Sequence, residues 1–160
     1  ERMTHIIEDL FTLARADAGQ MPLQKTDFYF DDLLAEIVKA YRSLADKRGI
    51  SIELKAVEEM PVNADQHLLR RLFSNLIDNA LKYSKSHIKI NAENNGENYQ
   101  ITIADDGLGI PLSDQPHIFE RFYRADKARS RQNNRSATSG AGLGLSICKF
   151  IAEAHGGKIK

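Results

Sequence analysis

Asn75, Asn79 and Lys82 are separated by four and then three residues, so on a helix they share one face. An amide carbonyl is a hard oxygen ligand, and a partly hydrated Mg²⁺ needs only one or two such protein contacts beside phosphate oxygens. A lysine one turn further on meets a phosphate as a point charge. The same spacing also describes the solvated stripe of an ordinary amphipathic helix, and the three residues alone do not separate the two readings.

A second cluster is Asp105-Asp106-Gly107-Leu108-Gly109-Ile110-Pro111, directly after a strand-like segment ending at Ala104. A carboxylate at a strand end can accept a hydrogen bond from the exocyclic amine of a purine, and glycines let the backbone approach a ring closely. Asp-Gly is equally a common turn dipeptide. The third cluster, Ser139-Gly140-Ala141-Gly142-Leu143-Gly144-Leu145, opens a helix. Its unpaired amides and the positive end of the helix dipole suit phosphates, although a flexible glycine hinge has the same composition. No Gly-Lys-Ser/Thr ends it, and its third glycine comes only two residues after the second. It is therefore neither a P-loop nor a Rossmann fingerprint.

The fourth cluster is Ile118-Phe119-Glu120-Arg121-Phe122-Tyr123-Arg124. Six basic residues (Arg121, Arg124, Lys127, Arg129, Arg131 and Arg135) fall between 121 and 135, opposed only by Asp126. Adjacent aromatics make a nucleic-acid patch one reading. The simpler one is a mobile lid anchored by Phe119 and Phe122, with one or two arginines reaching a triphosphate. The distal half, from Lys127 to Arg135, reads as a solvated basic loop.

Elements to position these residues are legible from periodicity. Met3, Ile6, Ile7, Leu10, Leu13 and Ala14 recur at helical spacing before Gly19 and Pro22, which predicts an isolated opening helix and then an extended segment from Met21 to Phe28. A second helix is expected from about Asp31 to Lys47, capped by Asp31 or Asp32 and stopped by Gly49. It would bury Leu34, Ile37, Val38, Tyr41 and Leu44 or Ala45. Ile50, Ile52 and Leu54 alternate as a strand. A long helix then starts at Asn63 or Asp65 and runs to about Tyr83, with Leu69, Leu72, Phe73, Leu76 and Ala80 as its core face. Ile88, Ile90 and Ala92, then Tyr99, Ile101 and Ile103, make a hairpin about Asn94-Asn95-Gly96. Little periodicity marks 111–140 beyond a turn around Ile118–Tyr123. Leu145–His155 is a final helix, and Lys158–Lys160 begins a strand. The expected class is α+β, with helices on one face of a mixed, mainly antiparallel sheet.

Composition agrees. At 160 residues, 42% hydrophobic and 28% charged, one soluble domain with a core plus a short extra element is expected. Twenty-two basic residues cancel twenty-two acidic ones, so there is no global pull toward nucleic acid or anionic lipid. The single cysteine, Cys148, fits a reducing cytoplasm, and no run approaches the ~18 apolar residues of a membrane span.

Taken in chain order, residues 75–82, 105–111, 118–124 and 139–145 together resemble the asparagine box, first glycine box, phenylalanine box and second glycine box of the sensor histidine kinases. That family shares the Bergerat ATPase fold, a two-layer α/β sandwich, with gyrase, the large heat-shock chaperone and mismatch-repair proteins. The resemblance implies ATP and Mg²⁺, with Asn79 as the metal ligand and Asn75 beside it toward the phosphates. It implies Lys82 and Tyr83 at phosphate and nucleotide, and Asp105 reading adenine, with Gly107, Gly109 and Ile110 around the base. Arg124 and Arg121 would contact phosphate, and Gly140, Gly142, Leu143, Gly144 and Leu145 would form the lid hinge and hold the phosphate tail. Asn75, Lys82 and Arg124 would be the catalytic group. The family usually has asparagine where this chain has Asp106, a change expected only to add negative charge.

The resemblance further divides the chain. Residues 1–20 are similar to the end of the second helix of the dimerisation domain, and 21–160 to the ATP-binding catalytic domain, with a lid at about 111–140 and the last strands missing. The acceptor histidine is expected outside this stretch: family acceptors are followed by Glu or Asp, and His5 is followed by Ile6. His155 suits a helix end, and His67, His87 and His117 have no metal-site spacing. The implied activity is transfer of the ATP γ-phosphate to that histidine for relay to a response-regulator aspartate. The implied setting is a homodimeric inner-membrane sensor with this domain in the cytoplasm and no nucleic-acid partner. A related ATPase or serine kinase, or an inactive nucleotide-binding module, are the alternatives.

Overall fold

The structure, a computed structural model, describes residues 22–57, 59–124 and 141–160. The expected opening helix over 1–20 and the distal lid from 125 to 140 lie outside the described residues. The chain divides into two compact units, one formed by Leu23–Gly109 and the other containing the described residues from Ile110 onward.

In the first unit, strand β1 (Thr26–Tyr29) leads into helix α1 (Phe30–Lys47). Phe30, Leu33, Leu34, Ile37, Val38 and Ala45 make one buried stripe at spacings of three, four and multiples of a turn. Ala45 rather than Leu44 completes it. The expected cap is corrected: Tyr29 occupies the N-cap position without a side-chain bond. Asp31 instead accepts from the Met60 amide at 2.9 Å, while the Phe30 amide donates to the Met60 carbonyl at 2.8 Å. Gly49, at φ +68°, ends the helix as expected, donating to the Asp46 carbonyl at 3.0 Å.

Strands β2 (Ser51–Ala56) and β3 (Pro61–Ala64) follow, then helix α2 (Gln66–Tyr83) and the hairpin β4 (His87–Asn94) and β5 (Tyr99–Asp105). The Asp65 side chain caps α2, accepting from the Leu68 amide at 3.1 Å, and its second oxygen accepts from the Gln24 amide at 2.9 Å. Leu68, Leu72, Phe73, Ile77, Ala80 and Leu81 are buried. Leu69 and Leu76, expected in the core, are half-buried because the stripe is rotated toward Ile77 and Leu81. Each fully buried leucine or isoleucine of this kind contributes roughly 1.5–3 kcal/mol. The two helices meet through the tilted Phe30 and Phe73 rings, 5.2 Å apart, and the Tyr41 hydroxyl, which donates to the Ser74 carbonyl at 3.4 Å.

The architecture is α+β, as expected. One sheet has the order β2-β4-β5, with β2 parallel to β4 and β5 antiparallel to it; β1 and β3 form a separate antiparallel pair. Ile88, Ile90 and Ala92 bury the same face of β4, while Lys89 and Glu93 on the other face are exposed. Helix α1 packs on β2, and α2 on α1 and β5.

In the second unit, a 3₁₀ turn (Gln115–His117) precedes a run of reverse turns, and helix α3 spans Gly144–Ala154. Leu143, Ile147, Cys148 and Ile151 are buried. Residues 158–160, expected to begin a strand, belong to none.

Candidate functional site

The helix α2 carries Asn75, Asn79 and Lys82 on half-buried positions beside its core stripe. The Lys82 ammonium donates to the Tyr83 hydroxyl at 2.8 Å and stands 4.6 Å from the Tyr83 ring centroid. An exposed cation–π contact of this type is worth about 0.5–1 kcal/mol, little enough for a stronger anion to draw the lysine away. Next along the chain, the Ser84 hydroxyl is buried with no hydrogen-bond partner among the described residues.

The end of β5 meets the end of this helix. Asp105 is exposed, and its Oδ1 accepts from the Gly107 amide at 2.8 Å, a two-residue carboxylate turn. A Cβ at Gly107 would stand 2.5 Å from both that Oδ1 and the Tyr83 carbonyl oxygen, so only glycine fits. Gly109 has open space around it, but its φ of +68° favours glycine. Asn75, Asn79, Lys82, Tyr83, Asp105, Gly107 and Gly109 therefore belong to one unit, with the acidic strand end held against the lysine end of the amide helix.

Asp106 is the residue sequence reasoning undervalued. Its Oδ1 accepts from the Lys85 and Ser86 amides at 2.8 and 3.0 Å, and its Oδ2 accepts from the Ser86 hydroxyl at 2.7 Å. These bonds, the Ser86 hydroxyl first and the backbone amides after it, hold its carboxyl well below the usual carboxylate range. The carboxylate thus keeps the negative charge expected of it and also acts as a tether. Twenty residues separate it from Ser86, so no local spacing announces the pairing.

In the second unit, the Asp114, His117, Glu120 and Tyr123 amides and carbonyls form successive three-residue turns. The Tyr123 hydroxyl donates to Asp114 Oδ1 at 2.9 Å, and His117 Nδ1 lies 2.6 Å from Glu120 Oε1. The Gln115 side chain donates to the Ile110 carbonyl at 3.1 Å. These turns present Arg121 exposed and Arg124 half-buried. Phe122 adopts φ +63°, a conformation costing roughly 1–2 kcal/mol in a non-glycine residue, and its amide donates to the Gly142 carbonyl at 2.9 Å. Gly142 itself lies at φ +76°, and a Cβ there would be 2.9 Å from the Phe122 backbone and the Tyr123 carbonyl. The turns bearing Arg121 and Arg124 and the start of α3 are therefore locked together. Leu143 precedes α3 without a side-chain cap, leaving first-turn amides at Gly144 and Leu145 for an anion. Gly140 lies outside the described residues, as does His5. His155 Nδ1 lies 2.8 Å from the Ile151 carbonyl, a helix-end contact.

Among the described residues no group of three or more His, Cys, Asp or Glu side chains could hold a metal ion. The donor set fits a cation that takes one amide oxygen and completes its shell with phosphate oxygens and water, as Mg²⁺ does. No helix among the described residues is long and apolar enough to cross a membrane.

Residues 64–160 match the family described as "Histidine kinase-, DNA gyrase B-, and HSP90-like ATPase". The chain is 36% identical over 161 residues to the sensor-like histidine kinase SenX3 of Mycobacterium tuberculosis, covering 99% of this chain and 38% of that protein. It is 33% identical to the signal transduction histidine-protein kinase BaeS of Escherichia coli K12, covering 98% and 33% respectively. The solved structure of the Acinetobacter baumannii histidine kinase AdeS superposes with a TM-score of 0.75 at 28% identity, over 94% of this chain and 66% of that one. The chain thus spans less than two fifths of the length of these two curated relatives.

Proposed function

Because the chain belongs to the family of histidine kinase-, DNA gyrase B- and HSP90-like ATPases, whose domain binds ATP, we propose that it is the catalytic domain of a sensor histidine kinase. It would transfer the γ-phosphate of ATP to a histidine on a dimerisation domain, for relay to a response-regulator aspartate. The observation that carries this reading is the meeting of α2 and β5 at Gly107. There a carboxylate suited to a purine amine is held beside a helix end whose amides and lysine suit a metal-bound triphosphate.

In this reading Asp105 accepts the adenine amine, and Gly107, Gly109 and Ile110 surround the base. Lys82 exchanges the Tyr83 hydroxyl for a phosphate, and Asn75 orients the phosphate tail. Arg121, Arg124 and the amides of Gly142, Leu143, Gly144 and Leu145 neutralise its charge. Asn79 holds Mg²⁺, which when bound offsets the charge that spreads over the transferred group. The protein's part is positioning and charge neutralisation rather than covalent chemistry. On this reading the parent would be a homodimeric, membrane-anchored sensor with this domain in the cytoplasm.

The test is incubation with γ-labelled ATP and Mg²⁺, with and without a separately produced dimerisation domain. Label is expected on the added histidine and not on the chain alone. Calorimetry showing no Mg²⁺-dependent ATP binding would overturn the reading.

A further inference from the structure

Three hydrogen-bond donors converge on Asp106. The Lys85 and Ser86 amides and the Ser86 hydroxyl all belong to the short connection between α2 and β4, and the Asp106 amide donates back to the His87 carbonyl at 3.2 Å. The opposite side of that connection is fixed by β2: the Ser51 amide and hydroxyl both donate to the Ser86 carbonyl, at 2.8 and 3.2 Å. The Ser51 hydroxyl also lies 2.6 Å from His87 Nδ1. Immediately before the connection stand Lys82 and Tyr83; immediately before Asp106 stands Asp105. The Tyr83 carbonyl and Gly107 have no spare room between them. A carboxylate has two oxygens and four acceptor sites, enough for all three donors, and charge-assisted bonds hold their geometry better than neutral ones.

We infer that Asp106 is a positioning residue for the nucleotide. It ties the Lys82–Tyr83 end of α2 to the Asp105 turn, and so sets the distance between the base-reading carboxylate and the phosphate-facing end of the helix. Asp106 is exposed, so its bonds add little to a core; their effect is on the relative placement of two binding groups. The inference rests on the nucleotide reading above. A ligand that spans both groups depends on the tether, and one that engages only the Asp105 turn does not.

The experiment compares the wild-type chain with Asp106→Ala, Asp106→Asn and Ser86→Ala, titrating Mg²⁺-ATP by calorimetry and adenosine by chemical-shift changes of β5 amides. Asp106→Ala is expected to weaken ATP binding about tenfold, the loss of charge-assisted bonds. Asp106→Asn, which keeps one oxygen for the two amides, should stay within about threefold. Adenosine binding should change less than about twofold in either variant. Unchanged ATP affinity in Asp106→Ala, equal losses for ATP and adenosine, or an Asn variant as weak as the Ala variant would each overturn the tether. If Asp106→Ala does not fold, Ser86→Ala decides: it removes one of the three donors, and about threefold weaker ATP with unchanged adenosine is expected, while no change overturns the idea. A wild-type chain that binds no ATP would sink the nucleotide reading itself, a result distinct from variants that bind as well as wild type.

Discussion

The carbonyl oxygen of Tyr83 occupies the space that any side chain on Gly107 would need, 2.5 Å from where a Cβ would stand. The helix that carries the amides and the strand that carries the acid are in backbone contact there, so a change at this one position is felt by both. Gly107→Ala should therefore cost about 3 kcal/mol or more, the upper end of overpacking, and lower ATP affinity together with the melting temperature. Gly109→Ala meets no neighbour and should cost only the roughly 1–2 kcal/mol of a left-handed residue. Thermal melts of the two variants side by side test the contrast; equal losses would contradict it.

Asp105→Ala removes both the acceptor proposed for the purine amine and the anchor of the Gly107 amide. A drop in ATP affinity of about ten- to a hundredfold is expected, with GTP binding little altered, since the lost bond is the one that distinguishes the two bases. Calorimetry with both nucleotides measures it. An unchanged preference for adenine would remove Asp105 from its assigned role.

The contact between Phe122 and Gly142 is as tight as that at Gly107. A Cβ on Gly142 would stand 2.9 Å from the Phe122 backbone, and the φ of +76° adds its own penalty. Gly142→Ala should separate the arginine-bearing turns from the start of α3. Faster proteolysis near Arg121 and Arg124 and weaker ATP binding by about tenfold are the expected readouts. Adenosine binding should be preserved, because the proposed contacts of this stretch are to phosphate.

Tyr41 carries a pH signature. Its phenol is pushed up to about 12, first by burial and then by the nearby Asp78 carboxylate. The unfolded chain releases this proton near pH 10, two units earlier, so above that point the unfolded state binds fewer protons than the native one. The stabilisation is complete below about pH 10 and is lost as pH rises toward 12. Denaturant melts between pH 9 and about 11.5 should show this alkaline loss in wild type and a smaller one in Tyr41→Phe. Parallel curves for the two proteins would argue against it.

The two long helices were legible because their apolar residues repeat with the helical period over eighteen residues each. Strand β3 was not, and β1 was legible only as part of an extended segment over Met21–Phe28, without its pairing. Four residues each, with Asp27 and Asn63 among them, are too short and too polar to alternate visibly; their pairing is fixed by partners remote in sequence, such as the 2.6 Å bond between Asn63 and Asp27. The spacing of Asn75, Asn79 and Lys82 located one face of the candidate site, and the Asp-Gly pair its edge. The tethering role of Asp106 escaped notice for the reason β3 did: its partners lie about twenty residues away, and only the folded chain brings them together.

The parallel pairing of β2 with β4 has a kinetic consequence. Ser51 pairs with His87 across thirty-six residues, whereas β4 and β5 are joined by a turn of four, Asn95–Asn98. Closing the longer loop costs more chain entropy before any contact repays it, so the hairpin should form first and β2 dock later. Until β2 docks, the connection that Asp106 grips lacks its second wall. The last event in assembling this unit would then be the one that makes it competent for its ligand.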